Sequence, residues 1–140
     1  MSKLRLEDLK AALEQRRPPA AKSEADHKRE LVAAINALPG GRARRIEDRY
    51  GTGILDLIIK LPDRPFILAE AKLVNGNLFA PTGAQYEEGK KWQAAGVNCL
   101  LLGWKQGRFY ISHWVEKADL RDCFFAADLS DIQALLEYLM

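Results

Sequence analysis

Between Ser23 and Leu38 the apolar residues Leu31, Ile35 and Leu38 fall at the spacing that lines one side of a helix. A helix is predicted from about Ser23 or Glu24 to Leu38, stopped by Pro39-Gly40-Gly41. Upstream, Leu4, Leu6, Leu9 and Leu13 with Ala11 and Ala12 predict a short amphipathic helix that ends near Arg16, because Pro18-Pro19 cannot continue it. Residues 16–23 read as a linker. The chain thus divides into an N-terminal helix and linker, 1–22, and a domain over 23–140.

From Arg42 the period shortens to that of strands. Ala43 to Asp48 reads as a polar strand, and Tyr50-Gly51-Thr52-Gly53 as a turn into the β-branched run Ile54-Leu55-Asp56-Leu57-Ile58-Ile59-Lys60-Leu61. Pro62-Asp63-Arg64-Pro65 turns the chain back into Phe66-Ile67-Leu68-Ala69-Glu70-Ala71-Lys72, completing a hairpin. After the loop Asn75-Gly76-Asn77, Pro81-Thr82 introduces a helix from about Gly83 to Ala95, closed by Gly96. Val97 to Gly103 and Arg108 to Trp114 predict two more strands joined through Lys105-Gln106-Gly107. The remainder reads as helical, with Ser130 or Asp128 capping a last amphipathic helix that bears Ile132, Leu135, Leu136 and Leu139. This order predicts an α/β fold: a mixed sheet flanked by helices.

Composition narrows the class. With 140 residues, 48% hydrophobic and 29% charged, the chain has the make-up of one ordinary globular domain. Cys99 and Cys123 sit in apolar surroundings that suit free thiols, not a disulfide framework or zinc site. The apolar run Val97 to Trp104 is far short of the roughly 20 residues of a membrane helix, and Met1 to Leu13 is too charged for a signal peptide. A cytoplasmic protein with no membrane partner is the expectation. The net charge of +2 conceals an asymmetry: 12 Lys/Arg against 8 Asp/Glu in residues 1–49, but 2 against 6 in 116–140. The basic part holds Arg42, Arg44, Arg45 and Arg49, which suit a phosphate backbone and equally suit pairing with Glu47 and Asp48 on a solvated strand.

Charges inside strands are the informative ones, because burying them unpaired costs several kcal/mol. Across the predicted hairpin, Asp56 falls within about one position of Glu70 or Ala71, where opposed Cβ atoms are roughly 5 Å apart. A hard cation such as Mg²⁺ fits between Asp56, Glu70 and the Ala71 carbonyl. The same spacing fits an ion pair in which Lys72 neutralises either acid. Gln85, three residues after Thr82, suits a capping box as well as a site role. His27 and His113 are too far apart to suggest a zinc pair, and Trp92, Trp104 and Trp114 suit the core or its rim.

With a helix carrying Glu30, then Gly51-Thr52-Gly53-Ile54-Leu55-Asp56-Leu57, then Glu70-Ala71-Lys72, then a helix entered by Gln85 and Ala94-Ala95-Gly96-Val97 leading into an apolar strand, the chain resembles the PD-(D/E)XK nuclease superfamily. Within it, the resemblance is closest to the VRR-Nuc-like group of phage and repair nucleases, and it covers about residues 24–111. It implies a restriction-endonuclease-like fold with an α-β-β-β-α-β core. It further implies Mg²⁺- or Mn²⁺-dependent hydrolysis of DNA phosphodiesters, including junctions or flaps. By the same resemblance Asp56, Glu70 and the Ala71 carbonyl bind metal, Glu30 holds it through water with Glu24 as its competitor, Lys72 positions the attacking water, and Gln85 is an additional site residue. Leu55 stands where the family's proline often precedes the aspartate. The alternatives are a non-catalytic DNA- or protein-binding factor on the same fold, and a structural homodimer packed through the acidic C-terminal helix.

Overall fold

The structure is a computed structural model that describes residues 23–46, 53–128 and 132–140. The helix expected over 4–16, the linker, Arg49 and the candidate cap Ser130 lie outside them. Helix α1 (Glu24–Asn36) starts at a capping box: the Ser23 hydroxyl accepts from Asp26 N, and the Asp26 carboxylate accepts from Ser23 N, each at 3.1 Å. At its other end the Asn36 side chain grips the backbone of Ala43, donating to its carbonyl and accepting from its N–H. Strand β1 (Arg42–Arg45) is thereby fastened to the helix that precedes it.

Strands β2 (Leu57–Lys60) and β3 (Ile67–Leu73) form the expected hairpin, with Leu57 opposite Ala69 and Ile59 opposite Ile67. The turn places Asp63 at φ 58 and closes through Arg64 N to Leu61 O. After the short strand β4 (Leu78–Phe79), helix α2 (Gly83–Ala94) crosses over so that β5 (Asn98–Lys105) pairs parallel to β3. β5 then turns tightly into β6 (Arg108–His113), and the left-handed φ of both Gln106 and Gly107 is that of the two-residue hairpin turn matched to strand twist.

Sequence and structure part after Trp114. Where the sequence reads as helical, β7 (Ala118–Asp119) pairs with β4, a 3₁₀ turn covers Leu120–Asp122, and β8 (Phe125–Asp128) extends the sheet beside β6. Asp128 ends that strand, and the last helix is α3 (Ile132–Leu139). The run Phe124-Phe125-Ala126-Ala127 has neither helical nor strand period, and pairing with β6 decides its state. Among the described residues the main sheet has six strands in the order β1-β2-β3-β5-β6-β8. The order α1-β1-β2-β3-α2-β5 supplies the α-β-β-β-α-β core.

Alternation along the strands divides the apolar residues between two faces. Leu57, Ile59, Ala69, Ala71, Leu102, Trp104 and Ile111 meet Leu31 and Ile35 of α1 and Leu135 and Leu136 of α3. On the other face Leu55, Cys99, Leu101 and Trp114 pack with Phe79 and Ala118, and with Tyr86 of α2. Both thiols are free, and burial is the main cause that pushes each up to about 11.

Gly89 fixes how closely α2 approaches: a Cβ there would fall 2.2 Å from Trp114 Cε2, on an indole held by its N–H bond to Tyr86 O at 3.1 Å. Gly89→Ala is expected to destabilise the protein by about 2 kcal/mol, because overpacking outweighs the helix-propensity gain of about 1 kcal/mol. Urea unfolding of the variant measures this, and an unchanged or raised midpoint would show that the ring is free to retreat.

Candidate active site

The β2–β3 ladder ends where the hairpin opens, and two carboxylates replace its next backbone bonds. Asp56 N donates to Glu70 Oε2 at 3.1 Å, and Ala71 N donates to Asp56 Oδ2 at 3.2 Å. Each acid is thus held by the backbone of the strand opposite. Just ahead of Asp56, Gly53 has φ +86, and a Cβ on it would fall 2.5 Å from Ala84 O. Only glycine lets the first turn of α2 come this close to the chain entering the site.

Two lysines complete the cluster. Lys72 Nζ lies 3.3 Å from Glu70 Oε1, and Lys28 Nζ of α1 lies 2.6 Å from Asp56 Oδ2 and 3.0 Å from Glu24 Oε1. Glu24 in turn accepts from Leu73 N through Oε2 at 3.3 Å, tying the start of α1 to the end of β3. Burial pulls the Lys28 ammonium down, but its hydrogen bonds and attraction to Asp56 and Glu24 outweigh burial and raise its pKa above the ordinary lysine value. Beside Lys72 opens a cavity of about 330 Å³, lined by Lys72, Leu73, Asn75, Leu78, Phe79, Ala80 and Lys117.

Glu70 is completely buried. Burial first, then the adjoining Asp56 carboxylate through hydrogen bonding and repulsion, push its carboxyl from 4.5 up to about 8, against a weaker downward pull from Lys72. In the metal-free protein the protonated form is therefore favoured by folding. Its stabilisation is complete below about pH 4.5 and is lost as pH rises through about 8. In EDTA the unfolding temperature of the wild type should fall by several degrees between pH 5 and pH 8.5, and Glu70→Gln should remove most of that fall. Equal pH dependence in the two proteins would contradict the raised Glu70.

The remaining candidates are placed as follows. The Gln85 side chain closes the capping box of α2, accepting from Thr82 N at 2.8 Å while Gln85 N donates to Thr82 Oγ1. Of the two acids weighed on α1, Glu24 accepts from the Lys28 ammonium and from Leu73 N, and Glu30 lies two residues beyond Lys28, about 200° further round the helix. Arg42, Arg44 and Arg45 are exposed along the edge strand β1. The site end of that strand is Arg45, opposite Leu57, followed by Ile46, whose N–H donates to the Asp56 carbonyl at 2.7 Å. Trp104 and Trp114 are core residues, whereas Trp92 is 43% exposed. Lys28 and Lys117 were not singled out in the sequence. The signal for Lys28 was its place between Glu24 and Leu31 on the apolar stripe of α1, where a charge needs a partner.

A divalent ion fits the donor set in part. Glu70 Oε1 is buried without a hydrogen bond among the described residues, and beside it at 3.3 Å stands the Lys72 ammonium, which a divalent ion at that oxygen would have to meet. Among the described residues no three His, Cys, Asp or Glu side chains form a ready-made metal cage. One or two carboxylates with waters are the usual protein contribution to a Mg²⁺ site.

The chain has the α/β restriction-endonuclease-like fold, with paired acids and a lysine at the open end of the β2–β3 hairpin. Among solved structures it is similar to the Holliday junction resolvase Hjc of Archaeoglobus fulgidus, an archaeal hyperthermophile, with a TM-score of 0.55 and 11% sequence identity over 81% of this chain and 97% of that one. Comparison with family models and with curated proteins returns no match. No helix of the described residues is long and apolar enough to cross a membrane.

Proposed function

We propose that this chain is a metal-dependent nuclease that hydrolyses DNA phosphodiesters, with branched DNA such as junctions or flaps as its preferred substrate, and that it belongs with the VRR-Nuc-like enzymes. The observation that carries the reading is the Asp56–Glu70 pair, two carboxylates held side by side by reciprocal backbone bonds at a cost that a cation relieves. Asp56 and Glu70, with the Ala71 carbonyl, are the groups to hold Mg²⁺ or Mn²⁺. When bound, such an ion supplies Lewis-acid charge to a phosphate oxygen. Lys72 orients the attacking water and balances charge that develops on the phosphate, from the wall of the cavity that Lys117 also lines. Glu24 positions Lys28 and the end of β3, and Gln85 acts through the α2 cap. Cutting both strands of a duplex takes two copies of a chain with one such site, which makes a homodimer the expected working unit.

Cleavage of a panel of linear, flap and four-way DNAs with Mg²⁺ and with EDTA tests the reading. Mg²⁺-dependent cutting that favours branched DNA supports it, and no cutting of any member under either condition overturns it. Binding of DNA without metal uptake would favour the second reading, a non-catalytic binding factor, to which the ammonium already seated on Asp56 gives some weight.

The arginines of β1 supply the backbone contacts in this account. Replacing Arg42 and Arg44 by alanine should weaken binding similarly across DNA sequences and flatten the slope of log K against log salt by about 0.9 for each phosphate no longer neutralised. The measurement is affinity at three salt concentrations with Asp56→Asn present to prevent cleavage. An unchanged slope removes these two residues from the DNA surface.

A further inference from the structure

Lys28 is the unusual member of the cluster. Its side chain is 9% exposed, and its ammonium makes its shorter contact with Asp56 and its longer one with Glu24. A buried ammonium persists only where carboxylates compensate it. Here one of those carboxylates is the group that the proposed function assigns to a divalent metal. The oxygen concerned, Asp56 Oδ2, also accepts from Ala71 N, so a divalent ion at this carboxylate would meet the Lys28 ammonium 2.6 Å from Oδ2. The second partner is differently placed. Glu24 is one helical turn from Lys28 on the same face of α1, and its other oxygen is anchored on Leu73 N.

Resting on the metal-site reading above, we infer that Lys28 is a tethered counter-cation of the site: it occupies Asp56 in the metal-free protein and must yield that carboxylate, retiring onto Glu24, when a divalent ion binds. Two cations on one carboxylate repel each other, and only one of them is covalently part of the chain. The tether keeps the acid pair neutralised while no metal is present, at the expense of affinity when metal arrives. Glu24 in this role is the anchor for Lys28 and not a ligand of the ion.

The direction of the expected effect separates this role from a structural one. Deleting a merely structural ion pair loosens the site and weakens metal binding, whereas deleting a competitor strengthens it. Calorimetric titration of Mn²⁺ into the full chain compares the wild type with Lys28→Gln, Lys28→Arg and Asp56→Asn. Lys28→Gln should bind Mn²⁺ about tenfold or more tightly than the wild type, because a unit charge a few ångströms from a divalent ion is removed. Lys28→Arg should stay within about threefold of the wild type, because the charge remains. Binding to Lys28→Gln that is equal to or weaker than wild type, with Asp56→Asn unable to bind, overturns the counter-cation while leaving the metal site standing. No binding to either wild type or Lys28→Gln overturns the metal site itself, and the inference with it. Should Lys28→Gln not fold, the wild type decides through the ¹⁵N-labelled lysine ammonium signals: Mg²⁺ should shift the Lys28 signal as it leaves Asp56, and a signal unchanged at saturating Mg²⁺ overturns the inference.

Discussion

Asp56→Asn is expected to reduce single-turnover DNA cleavage by a factor of at least about 10³, equivalent to about 4 kcal/mol of lost transition-state stabilisation. The amide keeps the shape of the side chain and an oxygen able to accept from Ala71 N, so the local backbone exchange can persist. It removes the negative charge that a hard divalent ion requires, and amide oxygen is a poor substitute for carboxylate in a site with only two acids. Stability is subject to opposing changes. The repulsion between Asp56 and the buried Glu70 is relieved, while the Lys28 ammonium loses its 2.6 Å partner and keeps only Glu24. The variant should therefore fold and unfold cooperatively, near the wild-type temperature in EDTA. Cleavage within about threefold of the wild type at matched Mg²⁺ would remove Asp56 from the active site.

Lys72→Ala is expected to lower turnover by about 10²–10³ while leaving Mn²⁺ affinity intact or improved. An ammonium cannot be a ligand to a cation, and its position 3.3 Å from Glu70 Oε1 opposes any metal at that oxygen. On the proposed function, its contribution would belong to the step in which water attacks and charge develops on the phosphate. Rapid-quench kinetics at saturating metal, paired with Mn²⁺ calorimetry, separates the two effects. Loss of Mn²⁺ binding with retained cleavage would make Lys72 a structural partner of Glu70 and nothing more.

Much of the geometry around these residues was legible in the chain. The Pro62–Pro65 turn set the hairpin register, and the observed pairing of Leu57 with Ala69 brings Asp56 to the level of Glu70, as the count of residues across the turn requires. The box Thr82-x-x-Gln85 and the left-handed Gly96 bracket α2, because local side-chain chemistry determines helix ends. Other features depend on partners distant in sequence. Strand β8 has no period of its own and exists because β6 offers a free edge, and β4 and β7 are too short to register except as a pair. At the site, local spacing alone did not separate Glu24 from Glu30. What local spacing lacks is the set of contacts of α1 with the sheet, which put Glu24, Lys28, Leu31 and Ile35 inward together. Lys28 itself reads as one more helix cation until the carboxylate it meets, 28 positions away in the chain, is brought beside it.

The acids at the open end of the β2–β3 hairpin are proposed to hold a divalent ion that serves DNA hydrolysis. Crystals of the full chain soaked in Mn²⁺ and measured at a wavelength where manganese scatters anomalously test it most directly. One strong anomalous peak is expected, bonded to an oxygen of Asp56 and an oxygen of Glu70, with the Lys28 ammonium turned to Glu24, and no such peak in Asp56→Asn. Saturating Mn²⁺ with no peak at these carboxylates, or a peak undiminished in Asp56→Asn, would contradict it.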